Sequence, residues 1–166
     1  AESKRVPMIR YNYLDKEDMF DNHSYAKGAL LLHMLRNHIG DEAFFASLNL
    51  FLKTHAYKSA EIHDLRLAFE AITGQDLNWF FNQWFLERSH PDLNVVTEYD
   101  SGKVELRIRQ LQDAEFTPIY ELPVFVDIWV DGKKERHEIV ITGDRKDFVF
   151  ETGKKPDLVL FDAETY

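Results

Sequence analysis

The chain has 166 residues, 45% of them hydrophobic and 14% aromatic, enough to bury a core in one domain or two small ones. It contains no cysteine, which excludes disulfides and thiolate metal sites. Its net charge is −9, split as −2 over residues 1–90 and −7 over 91–166, so a nucleic-acid backbone would be repelled. No apolar run approaches the ~20 residues of a membrane span. Ala1 to Pro7 lacks the apolar stretch of a secretory leader, although a leader removed upstream would leave export open.

Residues 1–20 read as a connecting segment that begins in mid-fold, with Tyr11 and Tyr13 as aromatic anchors and an acidic cluster from Asp15 to Asp18. The first helix is expected from Ser24 to about Ile39. Ser24 is its cap and Gly40 its left-handed stop. At helical spacing Tyr25, Gly28, Ala29, Leu31, Leu32, Leu35 and Ile39 share a broad face. Ala26, Leu30 and Met34 lie partly on the other side, so the helix is expected to be largely buried. Gly28 is costly in a helix and suggests that something packs close there. Tyr25 brings a hydroxyl to the first turn of this face. Taken alone, the helix allows a core tyrosine bonded to a carbonyl. Lys27, two residues on, either acts on the phenol electrostatically or reaches solvent.

A second helix is expected from Asp41, as N-cap, to about Thr54, with Phe44, Phe45, Leu48, Phe51 and Leu52 at helical spacing. Ser59 caps a third, carrying Ile62, Leu65, Phe69 and Ile72 and ended by Gly74. Asp76 caps a fourth, carrying Leu77, Phe80, Phe81 and Trp84, with Pro91 as the stop. Short loops make consecutive helices antiparallel neighbours. Beyond Pro91 the hydrophobic period changes to 2. Val104, Leu106 and Ile108 alternate with charged residues, and Val124, Val126, Ile128 and Val130 alternate with Phe125, Asp127 and Trp129. Asp131-Gly132 signals a hairpin into a strand from about Glu135 to Ile141, and Asp100-Ser101-Gly102 marks another turn. Phe148 to Phe150 and Leu158 to Phe161 supply further strands. The expected fold is α+β in two segregated parts. Residues 1–91 form an antiparallel helical bundle, and 92–166 an antiparallel, immunoglobulin-like β-sandwich.

Few chemistries have a footing in the residues. A zinc hydrolase needs two histidines one helical turn apart, a third ligand and a glutamate base. His33 and His38 lie five residues apart, about 140° round a helix, and cannot clasp one metal. His137-Glu138 runs into a strand, and His23, His55, His63 and His90 have no partner at ligand spacing. All seven histidines are expected at the surface or at caps. There is no G-x-S-x-G elbow, and Gly153-Lys154-Lys155 lacks the rest of a phosphate loop. Trp79, Phe80, Phe81, Trp84 and Phe85 suit either a sugar platform or a helical core.

One ordered set of short motifs is more specific. It runs Met19-Phe20-Asp21-Asn22-His23-Ser24-Tyr25-Ala26-Lys27-Gly28-Ala29, then Leu32-His33-Met34-Leu35-Arg36, Ile39-Gly40-Asp41-Glu42 and Phe45. It continues through Asp64-Leu65, Thr73-Gly74-Gln75-Asp76-Leu77, Phe80-Phe81, Gln83-Trp84 and His90-Pro91. This set resembles the aminopeptidase N family of zinc metallopeptidases, the gluzincins. The likeness covers the first ~95 residues well and the rest loosely. Ala26 stands where the family often has Glu. The resemblance implies the C-terminal part of the catalytic α-domain followed by a β-sandwich domain. It makes Tyr25, in the Tyr-x-Lys-Gly-Ala helix, a donor to the oxyanion formed from the substrate carbonyl. In the complete enzyme, zinc-activated water attacks a peptide and a glutamate acts as base. By the same resemblance the zinc ligands, the base and the site for the substrate's N-terminal amine lie upstream of Ala1. No zinc is then expected here, and the isolated chain is expected to be inactive. The face carrying Tyr25 and Gly28 would lack the upstream domains as its cover and would favour self-association. Two other readings remain open: an interaction module built from helical repeats and an immunoglobulin-like domain, and a catalytically dead homologue.

Overall fold

The computed structural model describes residues 6–21 and 23–164, with the backbone alone for His23. The leader question at residues 1–5, Asn22 of the tyrosine motif and the His23 side chain lie outside the described residues. The chain divides into two compact units, Ala1–Ser89 and His90–Tyr166. It is an α+β protein, with helices in the first unit and two antiparallel sheets in the second. No described helix is long and apolar enough to cross a membrane.

The first unit opens with a 3₁₀ turn, Lys16–Met19, and a π turn, His23–Lys27. Four helices follow: α1 Gly28–Ile39, α2 Asp41–Thr54, α3 Ile62–Thr73 and the short α4 Asn78–Phe81, which runs on into a π turn at Asn82–Leu86. Gly40 alone separates α1 from α2, at φ 84°, and its N–H closes onto the Arg36 carbonyl at 2.8 Å. Asp41, expected as the cap of α2, is instead its first helical residue. The Arg36 guanidinium takes its carboxylate through two bonds of 2.7 Å, which holds the Asp41 carboxyl below the usual range. Helix α3 begins after the expected Ser59 cap. The Asp64 carboxylate, in its first turn, accepts the Glu61 N–H at 2.8 Å. Gly74 ends α3 in the left-handed region, as expected. Asp76 accepts the Asn78 N–H at 2.8 Å at the entry to α4.

The core of this unit is Leu31, Met34 and Leu35 of α1, Phe44 of α2, Ala68 and Phe69 of α3, and the run Leu77, Phe80, Phe81, Trp84 and Phe85. Phe44 meets Phe69 at 5.5 Å between ring centroids, and Phe81 stacks on Phe85 at 5.1 Å. Helix α2 packs against α3 and, less extensively, against α1. Three expectations fail here for one reason. Helix α1 is not largely buried, since Ala29 and Leu30 are exposed. Gly28 faces no close neighbour, because a Cβ built there meets nothing within 4 Å. Tyr11 and Tyr13 are exposed rather than buried as anchors, and Phe45 and Leu52 of α2 are exposed too. Periodicity identifies an apolar face, but the partner that covers a face comes from elsewhere in the chain.

The second unit contains β1 Leu93–Asp100, β2 Lys103–Gln110, β3 Leu122–Val130, β4 Lys133–Ile141, β5 Arg145–Glu151 and β6 Leu158–Phe161. They form two three-stranded sheets, ordered β1-β2-β5 and β4-β3-β6. The hairpins turn at Ser101-Gly102 (φ 49° and 88°) and Asp131-Gly132 (φ 51° and 73°). Two positive φ values in succession match the right-handed strand twist. Val104, Leu106 and Ile108 of β2 are buried, as are Val124, Val126 and Ile128 of β3 and Ile139 and Ile141 of β4. His137 on β4 meets Phe150 on β5 at 4.7 Å between ring centroids, so the two sheets face each other. On the opposite face of β3, Asp127 is 3% exposed and opposes Arg136 in register. Arg136 grips it at 2.7 and 2.8 Å, and Arg136 also pairs with Glu164. The long β2–β3 connection is tied down by buried Gln110. Its amide bonds both backbone groups of Tyr120 and the carbonyl of Gly143.

Candidate functional site at the Tyr25 turn

The π turn that carries Tyr25 is pinned at both ends. At its entry the Asp21 carboxylate accepts the Ser24 N–H at 2.8 Å, and the Tyr25 N–H reaches the Asp21 carbonyl at 3.1 Å. Ser24 is therefore not the cap. Its hydroxyl donates backward to the Met19 carbonyl at 2.7 Å, and Asp21, three residues earlier, holds the first free N–H. A carboxylate can only accept, whereas a hydroxyl beside a bare carbonyl finds a better use as a donor. Asp21 is itself 3.6 Å from Arg10, which also reaches the Asp18 carbonyl.

At the exit, Lys27 does not run out to solvent. Its half-buried ammonium donates to the Ser89 carbonyl at 3.0 Å. Burial pushes the Lys27 pKa down from its ordinary value. Ser89 is buried and sits at φ 78°, a backbone region uncommon for a residue with a Cβ. Sequence reasoning missed this contact. Its residues are 62 positions apart, and no local signal announced Ser89.

Tyr25 itself is 60% exposed. Its ring meets Phe20 edge-on, at 5.3 Å and 70°. A core tyrosine would be enclosed, so the structure does not support that reading. The phenol is displayed instead, from a turn whose backbone is tied down on either side. Turns of the π type are uncommon and frequently mark functional sites.

The other candidates do not converge. Among the described residues, no group of three or more His, Asp or Glu side chains is placed to hold a metal ion. His33, His63 and His90 are exposed, as expected. His55 is the C-cap residue of α2, in keeping with the expected surface or cap positions, whereas His38 and His137 are half-buried. His38 packs edge-on against Trp79, His55 lies 4.0 Å from Asp64, and His137 is wedged against Phe150. Phe80, Phe81, Trp84 and Phe85 are core residues and offer no sugar platform. Lys154 is engaged by Asp131 at 2.6 Å.

Comparison with known proteins bears on the half of the chain that carries this turn. The model of the Peptidase family M1 domain matches residues 1–84. Aminopeptidase M1 of Arabidopsis thaliana is 37% identical over 90 residues, covering 54% of this chain and 10% of that protein. Aminopeptidase M1-A of Oryza sativa subsp. japonica is 26% identical over 154 residues, 90% of this chain and 17% of its own length. The chain thus spans a small part of these relatives. In fold it is similar to Legionella pneumophila aminopeptidase A, solved in complex with aspartic acid. That likeness has a TM-score of 0.77 at 20% identity and covers 92% of this chain and 18% of that one. The exposed tyrosine turn lies inside the matched segment, and the chain belongs to peptidase family M1.

Proposed function

We propose that the chain is a segment of a zinc-dependent aminopeptidase that removes N-terminal residues from peptides. In this reading, residues 1–91 belong to its catalytic domain and residues 92–166 form the β-sandwich that follows. The observation that carries the reading is Tyr25, 60% exposed on a pinned turn within the segment that matches the family. Its role is to donate a hydrogen bond to the carbonyl oxygen of the scissile peptide as that oxygen gains negative charge. Such a bond strengthens toward the transition state and lowers the barrier selectively. Bonds at Asp21, Ser24 and Lys27 hold the backbone of the turn beforehand, which reduces the backbone reorganisation needed during reaction.

The described residues do not fit a zinc ion, since no three His, Asp or Glu side chains among them are placed as a ligand set. By the likeness to the zinc aminopeptidases, this reading assigns the metal, its ligands and the base to other parts of the whole protein. The prediction is that the isolated chain binds no stoichiometric zinc and releases nothing from a chromogenic aminoacyl substrate, whereas the full-length protein does both. One zinc per isolated chain by elemental analysis after dialysis, held by this chain's side chains, would overturn the assignment. A full-length protein without aminopeptidase activity would favour a catalytically dead homologue.

A further inference from the structure

We infer that Lys27 is a positioning residue for Tyr25, its ammonium on the Ser89 carbonyl holding the turn that aims the phenol. The inference rests on the oxyanion reading of Tyr25. Three observations carry it. First, Lys27 is the last residue of the π turn and Tyr25 is its third, so a tether at Lys27 acts on the backbone that presents the phenol. Second, the tether is long-range and half-buried, and spans 62 residues of sequence at 3.0 Å. Third, its acceptor is held in an uncommon conformation, Ser89 lying at φ 78°. Such outliers persist where surrounding structure over-determines them and collect at functional sites.

The tether has a geometric purpose. A π turn carries one residue more than an α turn. Rewinding it to α spacing would rotate the residues before Gly28 by about 100°, one residue's step around the helix axis. Asp21 and Ser24 resist this from the entry side, and Lys27 resists it from the exit. A methyl-terminated side chain of similar length at position 27 would fill the space but leave the exit untied. Arginine would restore a donor.

The test uses the full-length protein that carries this chain, assayed on a chromogenic aminoacyl substrate. Lys27→Met is expected to lower kcat about tenfold with KM changed less than about twofold, and Lys27→Arg to recover most of the loss. In a Tyr25→Phe background, Lys27→Met is expected to cost less than about twofold, because a residue acting through the phenol has nothing left to position. A normal kcat for Lys27→Met, or a full additional loss in the Tyr25→Phe background, would overturn the inference. If Tyr25→Phe alone keeps normal turnover, the oxyanion reading fails, and this inference with it. If Tyr25→Phe loses turnover and Lys27→Met does not, only the positioning role fails. Melting temperatures are read alongside. Should Lys27→Met not fold, Lys27→Gln, with a shorter neutral donor, is measured in its place against the same outcomes.

Discussion

Tyr25→Phe separates a catalytic phenol from a structural one, because the structure sets different magnitudes for the two. The substitution removes one oxygen from a side chain that is 60% exposed and whose ring contact is with Phe20 at 5.3 Å. Phenylalanine keeps that edge-on contact. The stability change is therefore expected to stay within about 0.5 kcal/mol, as for other surface substitutions. For a unit the size of Ala1–Ser89 that is a shift in Tm of at most about 4 °C. The catalytic effect is of another order. Loss of one preorganised oxyanion donor typically costs about 2.7–4 kcal/mol, or roughly 10²–10³ in kcat, with little change in KM. The assay measures kcat, KM and Tm on the same purified full-length variant. A fall in kcat of that size at unchanged Tm supports the oxyanion role. Unchanged kcat would remove Tyr25 from the site. A large fall in Tm with near-normal turnover would return it to the structural role that its exposure argues against.

Three further outcomes follow from particular contacts. Arg136 is the main cause holding the Asp127 carboxyl below the usual range. The folded-state pKa is thus lower than the unfolded value near ~3.9, so this stabilisation is fully present above about pH 5 and is lost as pH falls through the folded-state pKa. Acid titration of the isolated chain followed by circular dichroism should show Asp127→Asn less stable at neutral pH, by about 1.5–3 kcal/mol, and less sensitive to acid than the parent. An unchanged acid midpoint in Asp127→Asn would refute that coupling. Glu70 accepts the Leu77 N–H at 3.0 Å and the Arg66 guanidinium at 2.6 Å, tying the α3–α4 connection to α3. Glu70→Ala should cost about 1–3 kcal/mol in denaturant unfolding, and a loss below that range would mean the bond is readily replaced by water. Tyr11, Tyr13, Leu14, Phe20, Tyr25 and Leu30 are all exposed in the first unit. The isolated chain should self-associate and bind an apolar dye, and a clean monomer by sedimentation without dye binding would argue that this surface needs no cover.

What the sequence determined by itself is local. The change of hydrophobic period beyond Pro91 separates helices from strands because a helix repeats near 3.6 residues and a strand at 2. Asp131-Gly132 and Gly74 could be placed from sequence because each meets a backbone requirement set within a few residues, a positive φ. The tyrosine motif was equally legible as a pattern. Its setting was not. Whether Ser24 or Asp21 caps the turn depended on which group stood beside the Met19 carbonyl. Whether Tyr25 and Gly28 were buried depended on which elements covered that face of α1, and none does so closely at Gly28. The Lys27 tether joins residues 62 apart, and Gln110 bridges to Tyr120 and to Gly143, 33 residues on. Such contacts carry no periodic signature, because they arise only when separate segments meet. The tertiary structure alone decided them.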